Sequence, residues 1–268
     1  MKRALDTVNE RILAAVAKRQ SQGGLGTNLN DSPRLVAVSK LKPISTIIEA
    51  YECGQRYFGE NYIQELVEKS NSPEIIASCP EIEFHFIGHL QSNKANKLLK
   101  VRNLHMIETV DSIKLADLID RAIQRHRNGE LSGDEQQPSA ISTQQQGTHL
   151  DKRLKVLIQV NTSGEEQKNG IQPSEATQLA EHIMKQCRGL ELAGLMTIGK
   201  LDGWQGPSPN QDFLRLRELR DKVSSDLSIE PGSLELSMGM SSDFEEAITL
   251  GSTNVRVGTM IFGQRTKP

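Results

Sequence analysis

From residue 2 to residue 19, Leu5, Val8, Ile12 and Val16 recur at intervals of three and four, while Lys2, Arg3, Glu10 and Arg19 fall largely elsewhere. This spacing predicts an amphipathic helix. Gly23, Gly24 and Gly26, with Asn28 and Asn30, break the period. The next run, Leu35–Val36–Ala37–Val38, is too short for a helix and suits a strand buried on both faces. Pro43 then stands where a first helical turn tolerates proline, and Ile44, Ile47 and Ile48 supply an apolar face. One strand is thus followed by one helix.

The unit repeats. Arg56–Tyr57–Phe58 leads to a helix over about Tyr62 to Lys69, Glu83 to Ile87 to one near Ser92 to Lys100, and Leu104 to Glu108 to one starting at Asp111. Further strands are expected at Leu154 to Val160, Leu190 to Met196, Leu234 to Leu236 and Asn254 to Val257, with helices beginning near Pro173, Gln211 and Ser242. Parallel strands need a helical crossover each, and eight such units in 268 residues favour a closed (β/α)8 TIM barrel over an open sheet. An open doubly wound sheet is the alternative, but no G-x-G-x-x-G fingerprint comes after the first strand. Residues 261–268 are too few for an eighth helix, so the N-terminal helix is expected to take that place in the ring. The stretch 128–151 is rich in glutamine and poor in apolar residues, and reads as a disordered insertion within a single domain spanning 1–268.

Composition narrows the function classes. Lysine and arginine number 32 against 34 aspartates and glutamates, a net charge of −2, which argues against nucleic acid or an anionic membrane surface as partner. Cys53, Cys79 and Cys187 are odd in number and form no CxxC pair, which suits a reducing compartment. No apolar run approaches the roughly 18–20 residues of a membrane span. A cytoplasmic protein is expected, with a mitochondrial fraction left open.

In parallel barrels, function gathers just beyond the carboxyl ends of the strands. Lys40 lies there after the first strand and, by period-two alternation, shares the inward side with Val36 and Val38. Desolvation at an apolar barrel mouth lowers an ammonium's pKa and frees a nucleophile toward an aldehyde. An exposed lysine in a strand-to-helix turn is the bland reading. After the seventh strand, Ser242 and Glu245 have the spacing of a capping box, and the Ser241 hydroxyl with the first-turn N–H groups suits an anion. Gly258 and Thr259 come directly after the eighth strand, so a phosphate site on these two loops is expected. Serine caps and glycine turns without a ligand would look the same. Arg256 alternates with Val255 and Val257; if it faces inward it needs a partner, either a bound ring nitrogen or phosphate or an internal carboxylate. His85 and His89 lack helical geometry and a third ligand, so no metal site is read from them. His85 reads as a satisfied core histidine. No G-x-S-x-G elbow is present.

Six ordered segments, LVAVSKLKP (35–43), FGENYIQ (58–64), FHFIGHL (84–90), GLMTIG (194–199), LSMGMSSDF (236–244) and VRVGTMIFG (255–263), make the chain resemble the pyridoxal phosphate homeostasis protein family, the proline synthase co-transcribed homologues. The resemblance spans nearly everything except the glutamine-rich stretch and the extreme ends. It implies a barrel of the alanine-racemase N-terminal type, with pyridoxal 5′-phosphate (PLP) held as a Schiff base on Lys40. It also implies that Arg256 faces the pyridine nitrogen, that Ser241, Gly258 and Thr259 hold the phosphate, and that Asn61 lies near the cofactor.

The family is associated with control of free PLP and vitamin B6 balance rather than with robust catalysis, which implies a carrier or buffer. PLP-dependent apoenzymes are then the candidate partners, and a monomer the expected state. Two other readings stay open. An amino-acid racemase or decarboxylase-like enzyme could use the same lysine, although no counterpart of the racemases' C-terminal β domain is read here. Alternatively, a scaffold could recruit proteins through residues 128–151.

Overall fold

Val, Ile, Leu and Phe crowd the strand segments because each strand is covered on its outer side by a helix and on its inner side by the opposite wall. The structure, a computed structural model, describes residues 1–21, 32–128, 152–165, 169–200 and 208–264. Helix α1 (Lys2–Ser21) precedes β1 (Arg34–Val38), α2 (Ile44–Glu52), β2 (Tyr57–Glu60), α3 (Ile63–Ser70), α4 (Pro73–Ser78) and β3 (Glu83–Phe86). A 3-10 helix (Ser92–Lys100) leads to β4 (Leu104–Val110), α5 (Ile113–Arg127), β5 (Leu154–Gln159), α6 (Ala176–Gln186) and β6 (Leu190–Met196). Then come α7 (Gln211–Leu227), β7 (Glu235–Ser237), α8 (Phe244–Thr249), β8 (Asn254–Val257) and the single turn α9 (Thr259–Phe262). All eight strands are parallel and close into a barrel in chain order, β1 pairing with β8 so that Val36 stands opposite Arg256. The expected fold class is the one observed.

The alternation predicted for β1 and β8 holds. Leu35, Ala37, Val255 and Val257 belong to the main core shared with helix residues such as Ile47 and Ala247. Val36 and Val38 turn inward, where a Cβ on Gly59 would meet Val36 Cγ1 at 2.9 Å and Ile87 Cδ1 at 3.0 Å. Met106, Leu157, Ala193 and Met196 form a second apolar cluster.

Helix α1 packs on α8 and α9 through a face that includes Leu5, Val8, Ile12 and Val16, filling the place in the ring that α9 is too short to occupy. The segment expected to be an α-helix near Ser92 is a 3-10 helix, and α4 was not foreseen. Residues 129–151, and with them the glutamine-rich stretch apart from Asn128, lie outside the described residues; Asn128 ends α5. Among the described residues, no helix is long and apolar enough to cross a membrane.

Candidate functional site

Lys40 is half-buried in the turn that leaves β1, next to Leu41, whose φ of 61° is left-handed. A polar clamp holds this turn. The buried Ser39 takes its backbone bond from the neighbouring strand, Ser39 N–H donating to Gly59 O at 3.0 Å, while its hydroxyl donates to Glu60 Oε1 at 2.7 Å. Lys69 Nζ donates to Ser39 O at 2.8 Å and to Glu60 Oε1 at 2.7 Å, and pairs with Glu65 Oε1 at 2.6 Å. Glu65 in turn accepts from Leu41 N–H at 2.7 Å. Burial raises the Glu60 pKa, and the Lys69 ammonium opposes that shift. Lys42 Nζ, on the far side of Lys40, donates to Phe262 O at 2.7 Å and ties the turn to α9. The backbone carrying Lys40 is therefore fixed from both sides.

Arg256 enters the barrel from β8 and is buried; among the described residues it meets an internal carboxylate together with neutral acceptors. Its Nη1 donates to Ser237 Oγ and stands 3.8 Å from Glu108 Oε2, while Nη2 donates to Thr197 O at 2.8 Å. Glu108 is a hub: it accepts from Ser237 Oγ at 2.5 Å and Asn254 Nδ2 at 3.0 Å, with His85 Nδ1 at 2.6 Å. Burial alone would raise its pKa, but the hydrogen bonds from His85 and Ser237 and the charge of Arg256 hold it down to about 2. Burial lowers the His85 pKa, so a neutral imidazole donates from Nδ1 to an ionised carboxylate. His85 is the core histidine expected but is satisfied on one side alone: Nδ1 meets Glu108, while the buried Nε2 has no hydrogen-bond partner among the described residues. Burial also lowers the Arg256 pKa, with Glu108 and Asp243 opposing, and the guanidinium stays charged.

The loops after β7 and β8 meet. Gly258 N–H donates to Ser241 Oγ at 3.2 Å, and a Cβ on Gly258 would lie 3.3 Å from both Cβ and O of Val38. Thr259, exposed beside them, opens α9. The capping box expected from Ser242 and Glu245 does not form. Asp243 takes the N-cap position without a side-chain cap and accepts from Met240 N–H at 2.6 Å. Glu245 instead turns to α1 and receives both Nε and Nη2 of Arg11, a charge-assisted bidentate pair that outcompetes a single backbone N–H. Asn61 comes just after β2, and its Oδ1 is buried with no hydrogen-bond donor among the described residues. Gly88 allows the chain leaving β3 to run against it: a Cβ there would sit 1.8 Å from Asn61 O.

Lys40, Asn61, Ser241, Arg256, Gly258 and Thr259 thus belong to β1, β2, β7 and β8 or to the turns that leave them, four strands adjacent around the barrel, and all but Arg256 lie beyond the carboxyl ends of those strands. Sequence reasoning missed Ser39, Glu60, Lys69, Glu108, Thr197 and Ser237. Only the Glu65–Lys69 pair, four apart on α3, carried a local signal.

A protein of Homo sapiens named pyridoxal phosphate homeostasis protein is 48% identical over 262 residues, covering 98% of this chain and 86% of the human protein. The chain belongs to the pyridoxal phosphate homeostasis protein family. The model of the alanine racemase N-terminal domain family also matches it, over residues 25–266. Among solved structures, PipY of Synechococcus elongatus with PLP bound has 31% identity and a TM-score of 0.68, covering 92% of this chain and all of PipY. Alanine racemase of Clostridium difficile, at 14% identity and a TM-score of 0.62, covers 98% of this chain and 58% of the racemase, a likeness of fold alone.

Proposed function

We propose that this homeostasis-family chain holds PLP at the carboxyl end of its barrel, through the Lys40 amine, and serves vitamin B6 balance as a carrier or buffer rather than as a catalyst. The observation that carries this reading is the meeting at one mouth of a lysine in a clamped turn, a buried arginine and the Ser241–Gly258 pair. The residues present fit a phosphorylated pyridine aldehyde. Gly258 leaves the close approach of two backbones free of a side chain, and Asn61 Oδ1 is a buried acceptor awaiting a donor. Ser241, Gly258 and Thr259 would hold the phosphate, and Arg256 would face the ring nitrogen. The bound cofactor would supply an aldehyde and an electron-accepting ring.

Arg256 disfavours a proton on that nitrogen by like charge, which weakens the ring as an electron sink and supports the carrier reading. PLP-dependent apoenzymes are the proposed receivers, and a cytoplasmic monomer the proposed state. The test is equilibrium dialysis of purified protein against PLP, with Lys40→Ala and Arg256→Gln beside the wild type, followed by a panel of amino acids. Retention should vanish in the first variant and weaken by about tenfold to a hundredfold in the second. Unchanged retention in both variants would overturn the site. Steady turnover of an amino acid that disappears in Lys40→Ala would overturn the carrier.

A further inference from the structure

Helices α5 and α6 neighbour each other in the outer ring, away from the four strands that build the mouth. Asp117 projects from α5, His182 from α6, and Cys187 is the residue that ends α6. His182 Nε2 lies 2.6 Å from Asp117 Oδ1, and Cys187 Sγ lies 4.0 Å from that same oxygen. One ligand atom from each residue falls within 4.8 Å of both others, the only such trio of metal-ligating side chains among the described residues. Its members stand 65 and 5 positions apart in sequence, so no spacing motif announces them. Asp120, also on α5, accepts from Gly189 N–H at 2.6 Å, two residues beyond Cys187. No lysine or arginine pairs with either carboxylate among the described residues; Arg121 Nε donates to the Asp117 carbonyl instead.

Imidazole nitrogen, thiolate sulfur and carboxylate oxygen are together the donor set of zinc, which takes them tetrahedrally at about 2.0–2.3 Å. Donors around such an ion sit about 3.3–3.7 Å apart. The 2.6 Å contact must open and the 4.0 Å contact close, each by about 1 Å or less. His182 and Asp117 are partly exposed, which gives an ion a way in, while Cys187 is buried and forms the floor. Calcium and magnesium would not choose sulfur or imidazole.

We propose that Asp117, His182 and Cys187 bind one Zn2+ that clamps α5 to α6, with water in the fourth position. The Zn–S bond forms as the thiol proton leaves to solvent. The site is independent of the cofactor reading, since it shares no residue with the barrel mouth.

The test is competition between the intact protein, stripped of metal by chelator dialysis, and a chromogenic zinc chelator. Thermal melts with and without Zn2+ and a Co2+ titration read for a thiolate charge-transfer band accompany it. One Zn2+ per chain is expected, bound below micromolar, with affinity weakened about 100-fold in Cys187→Ser and in His182→Gln but unchanged in Cys53→Ser. Zn2+ should raise the melting temperature of the wild type and of Cys53→Ser alone. If Cys187→Ser does not fold, the half-buried His182→Gln decides. Binding weaker than about 10 μM, or tight binding that survives His182→Gln, overturns the proposal and leaves the trio a hydrogen-bonded helix clamp.

Discussion

Glu108 is the residue on which the barrel interior turns. It is a fully buried carboxylate with Ser237, Asn254 and His85 on its oxygens and Arg256 beyond. Glu108→Gln keeps the shape and removes the charge, which strands a buried guanidinium and should cost about 3–5 kcal/mol in chemical denaturation. Retention of PLP should fall with it, as Arg256 loses the group that fixes it. At Gly88, replacement by alanine would press a Cβ against Asn61 O, so Gly88→Ala should lower PLP retention at least tenfold by equilibrium dialysis, through a displaced Asn61. Unchanged retention would remove Asn61 from the site. At this scale the sequence was readable where alternation alone sets direction. Arg256 alternates with Val255 and Val257 on its strand, so its inward side was legible. Glu108 was not, because Ser237, Asn254, His85 and Arg256 lie on other strands and meet it only when the barrel closes; Lys69 showed its helix partner Glu65 but not Ser39 or Glu60.

Helix α1 shows what each element contributes to the ring. Its apolar face is buried against α8 and α9, while Arg11 reaches Glu245 across a partly exposed surface. Ile12→Ala should therefore cost about 2–5 kcal/mol, by lost burial and a cavity, and Arg11→Ala about 0–1 kcal/mol, as for exposed ion pairs. Urea denaturation of the two variants checks the ordering; a larger loss in Arg11→Ala would make α1 an electrostatic attachment rather than part of the core. Strands were legible because covered parallel strands are continuous apolar runs, and α1 because its period is unbroken. The α4 turn escaped although Ser72–Pro73 announces it, with Ser72 Oγ accepting from Ile75 N–H at 3.2 Å. The Ser242–Glu245 capping box failed for the opposite reason. A local pattern lost its glutamate to a guanidinium 234 positions away, a contact no window could contain.

The whole molecule is a closed parallel barrel whose interior is part apolar and part ionic, and its acid sensitivity arises from the ionic part. Glu108 is held to about 2 against an ordinary 4.5. The folded value lies below the unfolded one, so its contribution of about 3 kcal/mol is whole above pH 4.5 and drains away as pH falls toward 2. His85, kept neutral by burial, adds a loss that begins below about pH 6.5, where the unfolded imidazole takes up its proton. Glu60, whose pKa is raised by burial, titrates in the opposite sense and softens the acid limb. The urea midpoint should fall more steeply between about pH 5 and pH 3 in the wild type than in Glu108→Gln; equal slopes would mean that Glu108 is not the charged hub. The central claim is that this barrel presents Lys40 to PLP. Borohydride reduction of PLP-treated protein followed by peptide mapping tests it most directly. One pyridoxyl group per chain on the peptide carrying Lys40, absent in Lys40→Ala, is the predicted result. Label scattered over exposed lysines, or found on a single peptide elsewhere, would contradict it.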